Sequence, residues 1–213
     1  MTQYIKFTYV DKLTEQSVSK QPARNGQTLP NIEGLNYDFA LQSKWPVSKT
    51  HAELFGTCLD SSNIDISGVL EKITETEYNE IKQQELVARK VQYRKRINQI
   101  RDQYIGRGLS YDFSDGTTGT IQLRDLKDMS NIQALSTNGL ILQVVEDTTT
   151  EIPFRDAENV QHMLTGDELV DMGVKAVQFA QSYYIVAWNH KDAIEAITVL
   201  NDLENYNTNT NWE

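Results

Sequence analysis

At 213 residues the chain can bury one large core or two small ones, and an apolar fraction of 39% is that of a folded protein. A formal net charge of −10 argues against the phosphate backbone of nucleic acid and against anionic lipid as partners, because both require a cationic surface. The lone Cys58 excludes an internal disulfide, and no apolar run approaches the roughly 20 residues that span a bilayer.

The opening QYIKFTYV mixes aromatic and β-branched residues with partial alternation, which predicts a strand over 3–10. Its polar start is not that of a signal peptide, so the expected compartment is a cytoplasm. From Asp11 to Pro30 the composition turns polar, and Pro22, Asn25-Gly26 and Pro30 predict loop. Leu35, Tyr37, Phe39 and Leu41 then alternate with smaller or polar residues, which predicts a half-buried strand ended by Trp45-Pro46. With ELFGTCL these pieces predict a small β-rich module over 1–70.

Thr74 and Glu77 have capping-box spacing, and no proline or glycine follows until Gly106 and Gly108. The stretch Thr74–Tyr104 therefore predicts a helix about 45 Å long at 1.5 Å per residue, the core of a connecting-helix segment over 71–105. Its apolar seam, Leu86, Tyr93, Ile97, Ile100 and Tyr104, either lies along its own domain or joins copies of the chain as a short coiled coil. Lys82, Arg89, Lys90, Arg94, Lys95 and Arg96 on the same helix form a solvated basic face or a docking strip for an acidic partner.

A domain over 106–204 follows. LSYDFSDGTTGTIQL predicts a β-hairpin turning at Asp115-Gly116. A helix is expected over 124–136, stopped by Asn138-Gly139, with LILQVV at 140–145 and EIPF at 151–154 as the next strand pair. Thr165 and Glu168 repeat the capping-box spacing and open a second long helix, with Trp188-Asn189-His190 as a possible bend. Its small residues Gly173, Ala176, Ala180 and Ala187 let another helix approach closely, and the helix at 74–104 is the expected neighbour. The tail 205–213 has no periodicity and is expected to be mobile unless a partner docks Trp212.

Chemistry-bearing constellations are sparse. His51, His162 and His190 lack metal-ligand spacing, which predicts structural or surface roles and no metal. Neither a nucleophile motif nor a phosphate-binding or dinucleotide loop is present, so no catalytic residue and no cofactor is expected. Asp60 with Asp65, and Asp112 with Asp115, are turn carboxylates rather than a catalytic pair. Asp156, Asn159 and Thr165 cap backbone donors or form a binding surface. Arg101, Arg124 and Arg155 pair with Asp125, Asp156 and Asp192 or take a ligand carboxylate.

The succession KRINQIRDQYIGRGLSYDF, GTIQLRDLKDMSNIQAL and EIPFRDAENVQHMLTGDELVDMGVKAVQFAQSYYIVAWNHKDAIEAI resembles an uncharacterised C-terminal domain of tailed-bacteriophage tail, tail-fibre and fibre-assembly proteins. The resemblance falls on Arg101, Ile121, Gln122, Arg124, Asn131, Ile132, Phe154, Asp156, Asn159, Leu164, Thr165, Lys191, Asp192 and Ile194. PNIEGLNYDFALQSKWP, FGTCLD and GVLEKIT resemble a leader that accompanies that domain, so the likeness covers roughly 30–60 and 90–200. Phe154 stands where the family often has tryptophan, and DAEN widens the spacing of its aspartate and asparagine. The resemblance implies a non-enzymatic tail, fibre or baseplate component, or alternatively a fibre-assembly chaperone absent from the mature particle. An enzyme acting on the host envelope is the third class. Other tail proteins and further copies of the chain are the expected partners, in the host cytoplasm during assembly and then in the virion tail. The expected partner-binding residues are Lys82, Arg89, Tyr93, Arg94, Ile97, Ile100, Tyr104 and Trp212 in an α+β protein of hairpins packed on long helices.

Overall fold

The computed structural model describes residues 2–9, 36–37, 52–59 and 70–212. They form an α+β protein of strands β1 (Gln3–Tyr9), β2 (Asn36–Tyr37), β3 (Ala52–Cys58) and β4 (Leu70–Ile73), then helix α1 (Glu75–Gly106). After it come β5 (Leu109–Asp112), β6 (Thr118–Ile121), α2 (Leu126–Val144), β7 (Ile152–Arg155), β8 (Gln161–Leu164), α3 (Gly166–Ala196) and the short α4 (Leu200–Glu204). The alternating run at 35–41 is described only at Asn36–Tyr37, where it is strand. The 11–30 loop, the Trp45-Pro46 stop, His51, Asp60 and Asp65 lie outside the described residues.

Two compact units divide the chain, one of residues 1–91 and 197–206, the other of 92–196 and 207–213. In the first, an antiparallel sheet is ordered β2-β3-β1-β4. Tyr4 stands opposite Thr57 on one side and Ile73 on the other, so β1 is an interior strand bonded along both edges. The expected capping box starts α1: Thr74 donates its backbone N–H to Glu77 Oε2 at 2.7 Å, and Glu77 N–H returns to Thr74 Oγ1 at 3.1 Å. Tyr78, Leu86, Leu200 and Leu203 are buried apolar side chains of this unit, and Arg89 ties α1 to itself through Glu85 at 2.9 Å.

The second unit carries the larger described core, in which Ile105, Tyr111, Phe113, Ile121, Leu123, Ile132, Leu164, Leu169, Met172, Ala176 and Ala180 are all buried. Its first hairpin is the expected one, with Tyr111 opposite Gly119 and Gly116 in the left-handed region at φ 82°. The other expectations for this stretch need correction. The helix predicted to end at Asn138-Gly139 continues to Val144, and LILQVV is its last turns rather than a strand. Gly139 is there because α3 passes too close for a side chain: a Cβ would lie 2.6 Å from the Gly166 carbonyl oxygen. EIPF does form a strand, but it pairs with QHML at 161–164, with Phe154 opposite His162.

The predicted bend at Trp188-Asn189-His190 is likewise absent, and α3 runs unbroken to Ala196. Against its small residue Gly173 stands Ser136 of α2, not the helix at 74–104. The second half of α1 meets α3 through bulkier groups, with the Tyr104 and Tyr183 rings 5.5 Å apart and Arg101 4.4 Å above the Tyr184 ring.

Asp125 caps α2, accepting from the backbone N–H groups of Lys127 and Asp128 at 2.9 Å each. Asp125→Ala should therefore lower stability by about 1 kcal/mol. Urea unfolding would show this as a lower midpoint at unchanged slope; an unmoved midpoint would mean that the cap contributes nothing.

Candidate functional site

The surface built by α2 and α3 departs most from what a solvated helix pair needs. The two helices approach closely because glycines face each other, Gly139 beside Gly166, with Gly173 beneath Ser136. No Asp, Glu, Lys or Arg occurs from 129 to 145 or from 176 to 190, although 23% of the chain is charged. The outer sides of both helices then carry large apolar groups. Leu126 is 88% exposed and Val144 83%, and Leu140, Ile141, Val174, Val177, Ile185 and Trp188 are exposed as well. Isolated exposed apolar residues are ordinary, but contiguous ones mark surfaces that meet something.

Two clefts indent this surface. One, of about 510 Å³, runs between the helices, lined by Leu126, Met129, Ser130, Ile132, Gln133, Ser136 and Thr137 from α2 and by Gly173, Ala176 and Val177 from α3. The other, of about 420 Å³, lies past Leu126 and Met129 and is lined also by Arg101, Asp102, Ile105, Leu123, Arg124, Asp125, Ala180 and Tyr184. Leu126 and Met129 thus form the ridge between them. The arginines of the second cleft are held in place: Arg101 bonds Asp102 at 2.7 and 2.8 Å and Asn98 at 3.2 Å, and Arg124 grips Asp128 at 2.9 and 3.3 Å. Lys191 has its pKa lowered by burial and further by Arg101 and Arg94. Apolar floors, exposed apolar ridges and anchored charges at the edge suit the docking of another polypeptide.

The residues expected to bind partners are placed elsewhere. Ile97 is fully buried and Ile100 is buried too. Arg94 is paired with Glu195, and Arg89 with Glu85 and, at 3.9 Å, Glu204. Lys82 lies 5.6 Å over the Tyr78 ring, and Tyr93 is half-buried. Trp212 is 3% exposed and docked by its own chain, stacked on Tyr104 at 5.6 Å and on His190 at 5.4 Å. Its indole donates to the Thr208 carbonyl, so this tail is fixed without any partner. The resemblance had touched Arg101 and Arg124, but the apolar lining was missed. The two charge-free runs were the signal that could have found it.

A second cluster joins the hairpins. His162 is 2% exposed, its Nδ1 3.0 Å from Asp115 and its Nε2 3.2 Å from Asp156, and its ring stacks on Phe113 at 3.6 Å. Burial opposes charge on the ring most strongly, but the two carboxylates together raise its pKa. Asp115 is held down at about 2 by Thr117 first and His162 second. Asp156 also accepts from Val160 N–H, which fits the expectation that it satisfies backbone donors. Arg155 bonds Asn159 at 3.1 Å, so Arg101, Arg124 and Arg155 all find intramolecular partners, though not the aspartates expected. The enclosed imidazole has no face open to a substrate, and this cluster acts as a clamp between hairpin tips.

Residues 88–208 match the family described as Domain of unknown function (DUF4376). No curated protein and no solved structure matches the chain.

Proposed function

We propose, for a chain that belongs to the DUF4376 family, a non-enzymatic role as a bacteriophage tail component of the fibre or baseplate that works by protein-protein contact. The observation that carries the contact part is the apolar α2–α3 surface, with Leu126 88% exposed on the ridge between two clefts and Val144 83% exposed at the other end of α2. Leaving so much apolar area in water is unfavourable by about 25 cal/mol per Å², so covering it favours association. The phage part is supported by the resemblance over 90–200, which falls on the matched residues and contains Arg101 and Arg124 of the cleft rim. In this reading the partners are other tail or fibre proteins, met first in the host cytoplasm and kept in the virion.

The same exposed surface also supports a second reading, a fibre-assembly chaperone that covers its client's apolar segments during folding and then leaves. Mass spectrometry of purified particles from the phage or prophage that encodes the chain separates the two. A structural component is present in the particles. Absence from particles, with soluble fibre obtained only on co-expression, would replace the first reading with the second.

A further inference from the structure

Lys191 stands out among the cations of α3 because of what surrounds it. Tyr184, Trp188, Lys191 and Glu195 follow one another at fours and threes, so they share one side of the helix. The second half of α1 runs antiparallel alongside: Arg94 pairs with Glu195, and Arg101, two turns further on, lies 4.4 Å above the Tyr184 ring. These two contacts bracket Lys191, which is half-buried between the arginines.

Both arginines have carboxylate partners of their own, Arg94 in Glu195 and Arg101 in Asp102. The ammonium of Lys191 has none: among the described residues no hydrogen bond, ion pair or ring contact reaches it. Other lysines of the long helices are engaged, Lys82 over the Tyr78 ring at 5.6 Å and Lys175 with Asp171 at 2.9 Å. Burial disfavours the charge on Lys191 most, the like charges of Arg101 and Arg94 disfavour it further, and Asp102 opposes them in part. A half-buried cation held against two others is unfavourable in the free protein, and such groups gather where a ligand is to be met.

What Lys191 lacks is one negative charge and acceptors for its three donors. Because the arginines are already matched, a single carboxylate supplies this, whereas a phosphate group would bring a second charge with no cation left to take it. The flank is apolar: Trp188 and Tyr184, one and two turns back along the same side, are 52% and 39% exposed. Aromatic faces beside an ammonium suit an acidic side chain whose neighbours are apolar. We propose that Lys191, flanked by Trp188 and Tyr184, docks a glutamate or aspartate side chain set among apolar residues of the partner polypeptide. The site names what the partner carries and rests on the contact part of the reading above.

Backbone amide NMR shifts over 184–195 in the full chain, titrated with the peptide acetyl-Ala-Leu-Glu-Leu-amide, test it. The glutamate peptide should bind at least about tenfold more tightly than its glutamine counterpart, and Lys191→Met should remove that difference while Lys191→Arg keeps it. Inorganic phosphate should bind more weakly than the glutamate peptide. The free protein supplies a second readout. Lys191→Met keeps the length of the side chain and removes its charge, so it should raise the urea midpoint, because nothing in the protein pairs with the ammonium it deletes. No binding of the glutamate peptide, equal affinity for the two peptides, discrimination that survives Lys191→Met, tighter binding of phosphate, or a midpoint lowered by Lys191→Met would each overturn the proposal. Those results sink the carboxylate site even if the chain is found in virions. Absence from virions with the peptide discrimination intact removes the tail assignment and leaves the site.

Discussion

Gly139→Val should lower the stability of the C-terminal unit by about 3 kcal/mol, the upper end of what overpacking a well-filled contact costs. The reason is the nature of the obstacle. The first atom a Cβ at 139 would meet is the Gly166 carbonyl oxygen at 2.6 Å, and the next are Leu169 Cβ at 2.9 Å and a Val170 methyl at 3.1 Å. Backbone cannot swing aside as the end of a lysine can, so the helices themselves must part. Parting α2 from α3 strips contacts from Leu169 and Ile132, both core residues. Asn138→Val, one residue away and exposed, is the control and should change stability by less than about 0.5 kcal/mol. Urea midpoints would decide it, and equal midpoints for the two variants would show that the close approach is not a constraint.

The second large effect concerns the hairpin clamp, and it depends on pH. The raised pKa of His162 means that its contribution to stability is complete below the unfolded value near 6.5 and is lost as pH climbs through the higher folded value. Asp115 runs the other way: its contribution is present above about 3.8 and is lost as pH falls toward about 2. The cluster thus stabilises most in the mildly acidic window between those two limits. His162→Ala, by removing a side chain buried between two carboxylates, should cost about 3 kcal/mol near pH 6. His162→Gln fills the space but cannot charge, so it should flatten the fall in stability between about pH 6 and pH 9. Urea midpoints across that range are the readout. A wild-type slope identical to that of the glutamine variant would mean that folding leaves the titration of the ring unchanged.

The legible parts of the sequence were those written in neighbouring residues. Thr74 with Glu77 and Thr165 with Glu168 announced both long helices, and Glu168 N–H does return to Thr165 Oγ1 at 3.4 Å. Asp115-Gly116 announced the first hairpin for the same reason, since a turn is a local device. What failed depended on distant partners. Asn138-Gly139 has the local form of a helix stop, but its glycine answers to Gly166, and a stop signal and a close-packing signal are written with the same residue. LILQVV has strand composition, and only its continuity with α2 makes it helical.

The candidate surface was hidden by a related ambiguity. An apolar residue on a helix reads as core until the other side of that helix is seen to be buried already. α3 buries Leu169, Met172 and Ile194 on one side, and that fact turns Val174, Val177 and Trp188 into surface. In the same way the α1 seam, which reads first as core along its own domain and second as a contact between copies, contains Ile97 with no exposed area at all. His162, Asp115 and Asp156 could not be joined by any spacing rule, because 47 residues separate the ring from one of its partners.

For the tail role proposed above, the protein composition of purified phage particles, assembled with the wild-type chain or with Leu126→Glu and Val144→Glu together, tests most directly whether the α2–α3 surface carries the function. Both substituted positions are exposed, so the variant should fold as wild type does. The expected result is wild-type chain in the particles and the folded variant missing from them. Incorporation of the variant to the same level as wild type would contradict the account.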